Sequence, residues 1–275
     1  THWIDEDSRV WILDRAMRPV YYIFNTQPCV GGYSLCPAEE DTLRLVDVSG
    51  REGRDRNSAI FASICVKPKS TDAMVSAEHA AFELFLKEPI TDTTAFLKLF
   101  NYNLPQDIRA LSMRTVDKDF NIINHSKVKE YLYLFTYGQK CHPFCAPIMT
   151  TILDDLDIDI MKKGAKLFEG EHYLWSYSYK PTENGIYTRE ILQCELVEND
   201  VYSANYFPET SYMLRVKGKG FMRNQIRLMM GTLIDLGKGK LTLKDIEDSF
   251  IPDSKVKMDY IAPASGLILN SVEFK

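Results

Sequence analysis

Apolar positions recur with two different periods along this chain. From Ala80 to Leu86 they alternate, with Ala80, Phe82, Leu84 and Leu86 on one face and Ala81, Glu83 and Phe85 on the other. A period of two with aromatics favours a strand, a short helix being the alternative. Val10–Leu13, Val20–Phe24 and Ile108–Val116 also read as strands, Ala59–Val66 as a continuous buried one, and Lys129–Phe135 as one whose alternating tyrosines share a face. The run over 59–66 ends at Lys67-Pro68, because proline cannot extend a central ladder. Further strand-like segments lie at Tyr173–Tyr179, Tyr187–Leu196 and Tyr212–Lys217. From Phe221 the period lengthens. Met222, Gln225-Ile226, Met229-Met230, Leu233 and Leu236 recur at three and four residues, which predicts a helix stopped by Gly237.

Three more helices follow from their caps. Thr91 or Asp92 starts one that carries Phe96, Leu97 and Phe100 and stops before Leu104-Pro105. Asp154, Asp155, Asp157 and Asp159 precede a helix from about Ile160 to Phe168, where negative charge suits the N-terminal dipole. Thr242 caps a last one that runs to Phe250. A turn at Ala262–Gly266 feeds a closing strand through Val272 and Phe274. Strands and helices are mixed without a strict βαβ repeat, which implies an α+β fold with a largely antiparallel sheet. Gly50–Asn57 is charged and aperiodic and reads as an exposed loop.

Composition changes this picture little. An apolar fraction of 45% and a charged fraction of 26% in 275 residues are those of a globular protein with a substantial core. No run is long enough for a membrane span, and the polar, acidic start does not resemble a signal peptide, so a cytoplasmic location is expected. The six cysteines follow no framework spacing and are expected reduced. Cys141-His142-Pro143-Phe144-Cys145 is half a zinc site at most, because a second ligand pair is missing.

Charge is more informative in its distribution. The net charge is −5, yet Arg215, Lys217, Lys219, Arg223, Arg227, Lys238 and Lys240 cluster against a single acid, Asp235. Arg223 and Arg227 would share a helix face, and Gly218 and Gly220 would let a phosphate approach the backbone. Such a cluster in an acidic chain favours an anionic partner over a merely solvated face. Tyr131, Tyr133 and Phe221 are aromatics that can stack on bases. No Gly-x-Ser-x-Gly elbow, phosphate-binding loop or dinucleotide fingerprint is present.

Ser70-Thr71-Asp72-Ala73-Met74-Val75-Ser76-Ala77 places one aspartate in a polar turn ahead of the alternating run. Thr71-Asp72-Ala73-x-Val75-Ser76-Ala77 resembles the active-site motif of TruA-type tRNA pseudouridine synthases, usually Gly-Arg-Thr-Asp-x-Gly-Val-His/Ser-Ala. Asn103-Leu104-Pro105-x-Asp107-Ile108 is similar to the family's joining segment. Lys129-Glu130-Tyr131-x-Tyr133 is similar to its tyrosine motif, and Phe168-x-Gly170-x-His172 to its Gly-x-His/Asn-Asp-Phe segment. Gly220-Phe221-Met222-x-x-x-Ile226-Arg227-x-x-x-Gly231, with Gly237-x-Gly239, resembles its arginine motif. Ala262-Pro263-Ala264-x-Gly266-Leu267-x-Leu269 resembles its closing strand.

The resemblance implies two pseudo-symmetric α/β halves, here 1–104 and 105–275, sharing a largely antiparallel mixed sheet around a basic active-site cleft. It implies isomerisation of uridine to pseudouridine in the tRNA anticodon stem-loop, without metal or nucleotide cofactor, by a homodimer. Asp72 is then the nucleophile, Tyr131 the residue that stacks on the flipped base, and Arg227 the charge partner of Asp72. Leu267 lines the uracil pocket, and Thr71, Phe221, Arg223, Lys217 and Lys219 are substrate-binding candidates. Ser70 stands where the family has Arg; Lys69, Arg51, Arg54 and Arg56 are candidate substitutes. Met74 stands where Gly is common and fits the turn if its φ is negative. Residues 1–70 depart furthest from the family pattern. The rival reading is an RNA-binding relative without turnover, a chaperone or assembly factor.

Overall fold

The computed structural model describes residues 3–4, 9–13, 19–24, 42–51, 66–68, 74–86, 90–104, 106–117, 119–122, 124–252, 254 and 256–274. Ser70, Thr71 and Asp72 lie outside the described residues, as do Lys69, Arg54, Arg56 and most of the strand expected over 59–66. The chain forms two compact units, one of Thr1–Ser126 with Phe274–Lys275 and one of Lys127–Glu273.

In the first unit, β1 (Trp3–Ile4), β2 (Arg9–Leu13) and β3 (Pro19–Phe24) form a small antiparallel sheet. A second group is centred on β4 (Thr42–Arg51). The strand β5 (Val66–Pro68) pairs with β6 (Ser76–Leu86), and β4 lies between β6 and β7 (Ile108–Val116). Val46 faces Phe82 on one side and Met113 on the other, all antiparallel. Phe82 and Leu84 are buried as their alternation requires, but so is Ala81, under Ile122, Val116, Phe120 and Phe274. The helix α1 (Thr93–Asn103) is capped by Asp92, whose carboxylate accepts from the Thr94 and Ala95 amides at 3.0 and 2.9 Å. It ends at Leu104, held extended (ψ 153) as a residue before proline should be. Asn101 then ties the helix to β7 by exchanging two hydrogen bonds with the Ala110 backbone.

In the second unit, β8 (Ser126–Tyr137) is followed by the short parallel β9 (Thr150–Ile152) at its end. The strands β10 (Gly170–Tyr173), β11 (Thr188–Glu198), β12 (Tyr212–Gly218), β8 and β13 (Leu267–Phe274) lie side by side in that order. The pairings among β10, β11, β12 and β8 are antiparallel. Both units are thus mixed α/β with largely antiparallel ladders.

The helices α2 (Ile158–Lys166), α3 (Gln225–Gly237) and α4 (Leu243–Ser249) belong to the second unit. α2 is capped by Asp157, which accepts from the Ile160 amide, and α4 by a reciprocal box between Thr242 and Asp245. α3 is buried almost all round, from Gln225 through Gly237, as expected of a helix with few polar positions. It lies close to α2 at Gly164, where an added Cβ would meet Leu233 at 3.1 Å.

Four expectations about local structure need correction. The stretch 173–179 is not one strand. β10 ends at Tyr173 and Trp175–Tyr177 forms a tight turn of helix, buried because the Tyr177 hydroxyl meets Ser249. The helix after Phe221 begins at Gln225, because Asn224 takes a left-handed φ of 58° and the Gln225 side chain accepts from the Met222 amide. Gly237 stays helical, and the left-handed stop falls on Gly239 (φ 70°). Met74 is the fourth departure: its φ is +69°, not negative. No helix among the described residues is long and apolar enough to cross a membrane.

Candidate active site

Tyr131 and Tyr133 project from the same face of β8, opposite Val216 and Leu214 of β12, yet they do different things. Tyr133 is fully buried. Its hydroxyl donates to the Pro263 carbonyl at 2.8 Å, and since a phenol has one proton, the Thr150 hydroxyl at 3.0 Å is the donor to it. Burial raises the Tyr133 phenol above the ordinary tyrosine range, against the opposing effects of Thr150 and the Arg227 charge, so it stays protonated. Tyr133 is therefore a clamp on the chain at Pro263, not a stacking surface. Tyr131 is half-buried and stands edge-on to Phe221, with ring centroids 5.4 Å apart at 89°. That is the T-shaped arrangement favoured by ring quadrupoles.

Gly218 makes room for Phe221. A Cβ there would come within 2.9 Å of the Phe221 ring and 3.1 Å of the Glu190 carbonyl. Its missing side chain serves packing, whereas the space around Gly220 is open.

Arg227 sits in the first turn of α3. Its Nε donates to the Ala262 carbonyl at 2.7 Å and its Nη1 to Asn224 Oδ1 at 3.3 Å, while the Ala262 amide returns a bond to the Arg227 carbonyl at 3.1 Å. The strap from Tyr260 to Gly266 is thus held twice, by Arg227 at Ala262 and by Tyr133 at Pro263. Gly231 allows this, because an added Cβ would be driven onto the Tyr260 carbonyl, 2.8 Å from its carbon. Gly266 does the same at the other end, where a Cβ would lie 2.7 Å from the Leu134 carbonyl. Leu267 follows, buried, as the first residue of β13.

The basic cluster is largely paired. Lys217 and Arg215 lie 4.0 and 3.9 Å from the buried Glu130, Lys219 is 2.5 Å from Glu190, Lys238 2.5 Å from Asp154, and Lys240 3.3 Å from Asp235. Glu130 also accepts from Asn270 at 2.6 Å. Arg223 is exposed, with its guanidinium carbon 5.1 Å from the Tyr179 ring. It precedes α3, so it does not share a helix face with Arg227. Nothing in the charge pattern identified Glu130 as the counter-charge, since Lys217 and Glu130 meet only through strand register.

The remaining candidates fall elsewhere. Asp72 and Thr71 are outside the described residues. In Cys141–Cys145, His142 Nδ1 accepts from the Phe144 amide and the Cys145 thiol donates to the Tyr206 carbonyl. Among the described residues no three metal-ligating side chains converge. Tyr133, Gln225 and Tyr179 are the residues sequence reasoning undervalued; an extra tyrosine on an apolar strand face was the one available signal.

Part of the segment that builds this geometry matches a known family. A family model described as tRNA pseudouridine synthase matches residues 165–275, which include Phe221, Arg227 and the 260–267 strap. The chain is 29% identical over 177 residues to tRNA pseudouridine synthase A 2 of Bacillus thuringiensis subsp. konkukian (strain 97-27), covering 64% of this chain and 69% of that protein. It is 30% identical over 172 residues to tRNA pseudouridine synthase A of Staphylococcus aureus (strain MRSA252), covering 62% of each. By sequence the chain is similar to the pseudouridine synthases. Among them, the two relatives just named are tRNA pseudouridine synthases A, which it resembles over somewhat more than half of its length.

Proposed function

We propose that this protein is a tRNA pseudouridine synthase, isomerising uridine in the anticodon stem-loop. The carrying observation is the double clamp on the 260–267 strap by Arg227 and Tyr133, beside the Tyr131–Phe221 pair; Arg227, Phe221 and the strap lie inside the family-matched segment. The reaction breaks the N1–C1′ bond of uridine and forms C5–C1′. The C5 proton is lost and N1 gains one, so no atom is added and no redox cofactor is called for.

In this reading the uridine is extruded from the RNA stack and stacks on Tyr131, which assists removal of the C5 proton. Asp72 is the nucleophile. Its ionised form is favoured by Arg227, since a cation nearby lowers a carboxyl pKa, and the Ala262 and Asn224 bonds hold the guanidinium in one orientation. Leu267 supplies an apolar wall for the base, and Phe221 braces Tyr131. Thr71 and Arg223 contact substrate. Lys217 and Lys219 add to the local field, at reduced strength because each already faces a carboxylate. Two pseudo-symmetric halves, 1–104 and 105–275, around a basic cleft, a homodimeric assembly and a cytoplasmic location complete the proposal.

The test is direct. Wild type and Asp72→Ala are incubated with unmodified tRNA transcript, and pseudouridine is mapped chemically. Product from wild type and none from Asp72→Ala supports the reading. RNA binding by the wild type without product favours the second reading, an RNA chaperone or assembly factor, for which Ser70 in place of the family arginine speaks.

A further inference from the structure

Tyr179 gathers two cations. The Arg223 guanidinium carbon lies 5.1 Å from its ring centroid and the Lys180 ammonium 5.4 Å. The second contact comes with a backbone cost. Lys180 has φ +51°, and a left-handed conformation costs a residue with a Cβ about 1–2 kcal/mol. Neighbouring side chains on an extended chain point apart, so this left-handed bend accompanies the return of Lys180 to the ring of the residue before it. A ring attracts one exposed cation by only about 0.5–1 kcal/mol, and a second like charge repels the first. Strain and repulsion together make stability a poor reason for this arrangement.

What the arrangement offers is positive charge at one edge of the candidate site. Arg223 and Lys180 are both exposed. Arg223 immediately precedes the first turn of α3, where the helix dipole adds to a cationic field. Phe221, two residues earlier, is the partner of Tyr131, and Gly220 leaves open space beside it. We propose that Tyr179, Lys180 and Arg223 form a phosphodiester subsite that grips the RNA backbone beside the nucleotide received by Tyr131. The ring positions both cations and offers its face to a ribose, while the cations take the phosphate. This subsite rests on the tRNA reading above, and its test separates the two.

Binding of an unmodified tRNA transcript is measured at several salt concentrations for wild type, Lys180→Gly, Tyr179→Phe and Tyr179→Leu, with thermal stability and pseudouridine formation measured alongside. Lys180→Gly removes the cation and relieves the left-handed strain. Its tRNA affinity should fall about five- to eightfold at roughly 0.1 M salt, and the slope of log K against log salt should become shallower by about 0.7–0.9. Its thermal stability should be unchanged or higher, which a merely structural lysine would not give. Tyr179→Phe, which keeps the ring, should bind like wild type, and Tyr179→Leu should lose affinity. Wild type that makes pseudouridine, with Lys180→Gly and Tyr179→Leu binding on an unchanged slope, overturns the subsite and leaves the synthase reading standing. Wild type that neither binds tRNA nor makes product overturns both.

Discussion

Replacing Gly231 with alanine sets two rules against each other. In an ordinary helix interior the change would stabilise by about 1 kcal/mol, because glycine is the poorer helix former. Here the new Cβ is driven onto the Tyr260 carbonyl and would lie 2.8 Å from its carbon, inside any ordinary contact distance. Either α3 or the strap must move. Overpacking of this kind costs about 1–3 kcal/mol. Displacing the strap also strains the amide bond from Ala262 to the Arg227 carbonyl and the Nε bond from Arg227 to the Ala262 carbonyl. These contribute about 1 and about 1.5–3 kcal/mol, the second being charge-assisted. Partial loss of both, less the propensity gain, gives a net destabilisation of about 2–4 kcal/mol. Urea unfolding would report it as a lower midpoint at an unchanged slope. Gly220→Ala, where nothing lies within 4 Å, is the control and should stay within about 0.5 kcal/mol of wild type. A Gly231→Ala protein as stable as wild type, or more so, would refute the close packing of α3 on the strap and with it the physical basis of the Arg227 clamp.

Three further outcomes are expected. Tyr133→Phe removes the hydroxyl between Pro263 and Thr150 and takes its acceptor from the hydroxyl of the buried Thr150; about 1–3 kcal/mol should be lost in denaturant unfolding. Met74→Gly should stabilise by up to about 1 kcal/mol in the same assay, because its φ of +69° suits glycine, while Met74→Ile should destabilise. The Lys238 bond lowers the Asp154 pKa and raises that of Lys238. The carboxylate's contribution is therefore lost as pH falls below about 4, and the ammonium's as pH rises beyond about 10.5. Asp154→Asn should lower the melting temperature between those limits, and its difference from wild type should shrink towards both extremes.

What could be read from residues alone was whatever local periodicity and local hydrogen bonding control. The strand read over Ile108–Val116 is observed with those bounds. Asp92 and Thr242 start their helices because a cap bonds amides two or three residues away. Where the answer depended on a distant contact, the reading slipped. The helix after Phe221 lost its first residues to the left-handed Asn224 and to Gln225 folding back on Met222. The stretch 173–179 failed as a strand because its middle is buried against Ser249.

The candidate site divides along the same line. Sequence motifs singled out Tyr131, Phe221 and Arg227, and Tyr131 and Arg227 are carried by elements whose period was visible. Pairing was not visible. Strand register sets Lys217 opposite Glu130, so part of a cluster read as free positive charge is already neutralised. Tyr131 and Tyr133 of β8 looked alike in the alternation, yet Tyr133 is buried under the strap and Tyr131 faces Phe221. By itself the sequence determined the secondary elements and the residue types the chemistry needs, because those rest on near neighbours. Only the tertiary structure decided which tyrosine is a clamp, which cations are paired and why Gly231 must lack a side chain, because each depends on atoms that folding brings together from far along the chain.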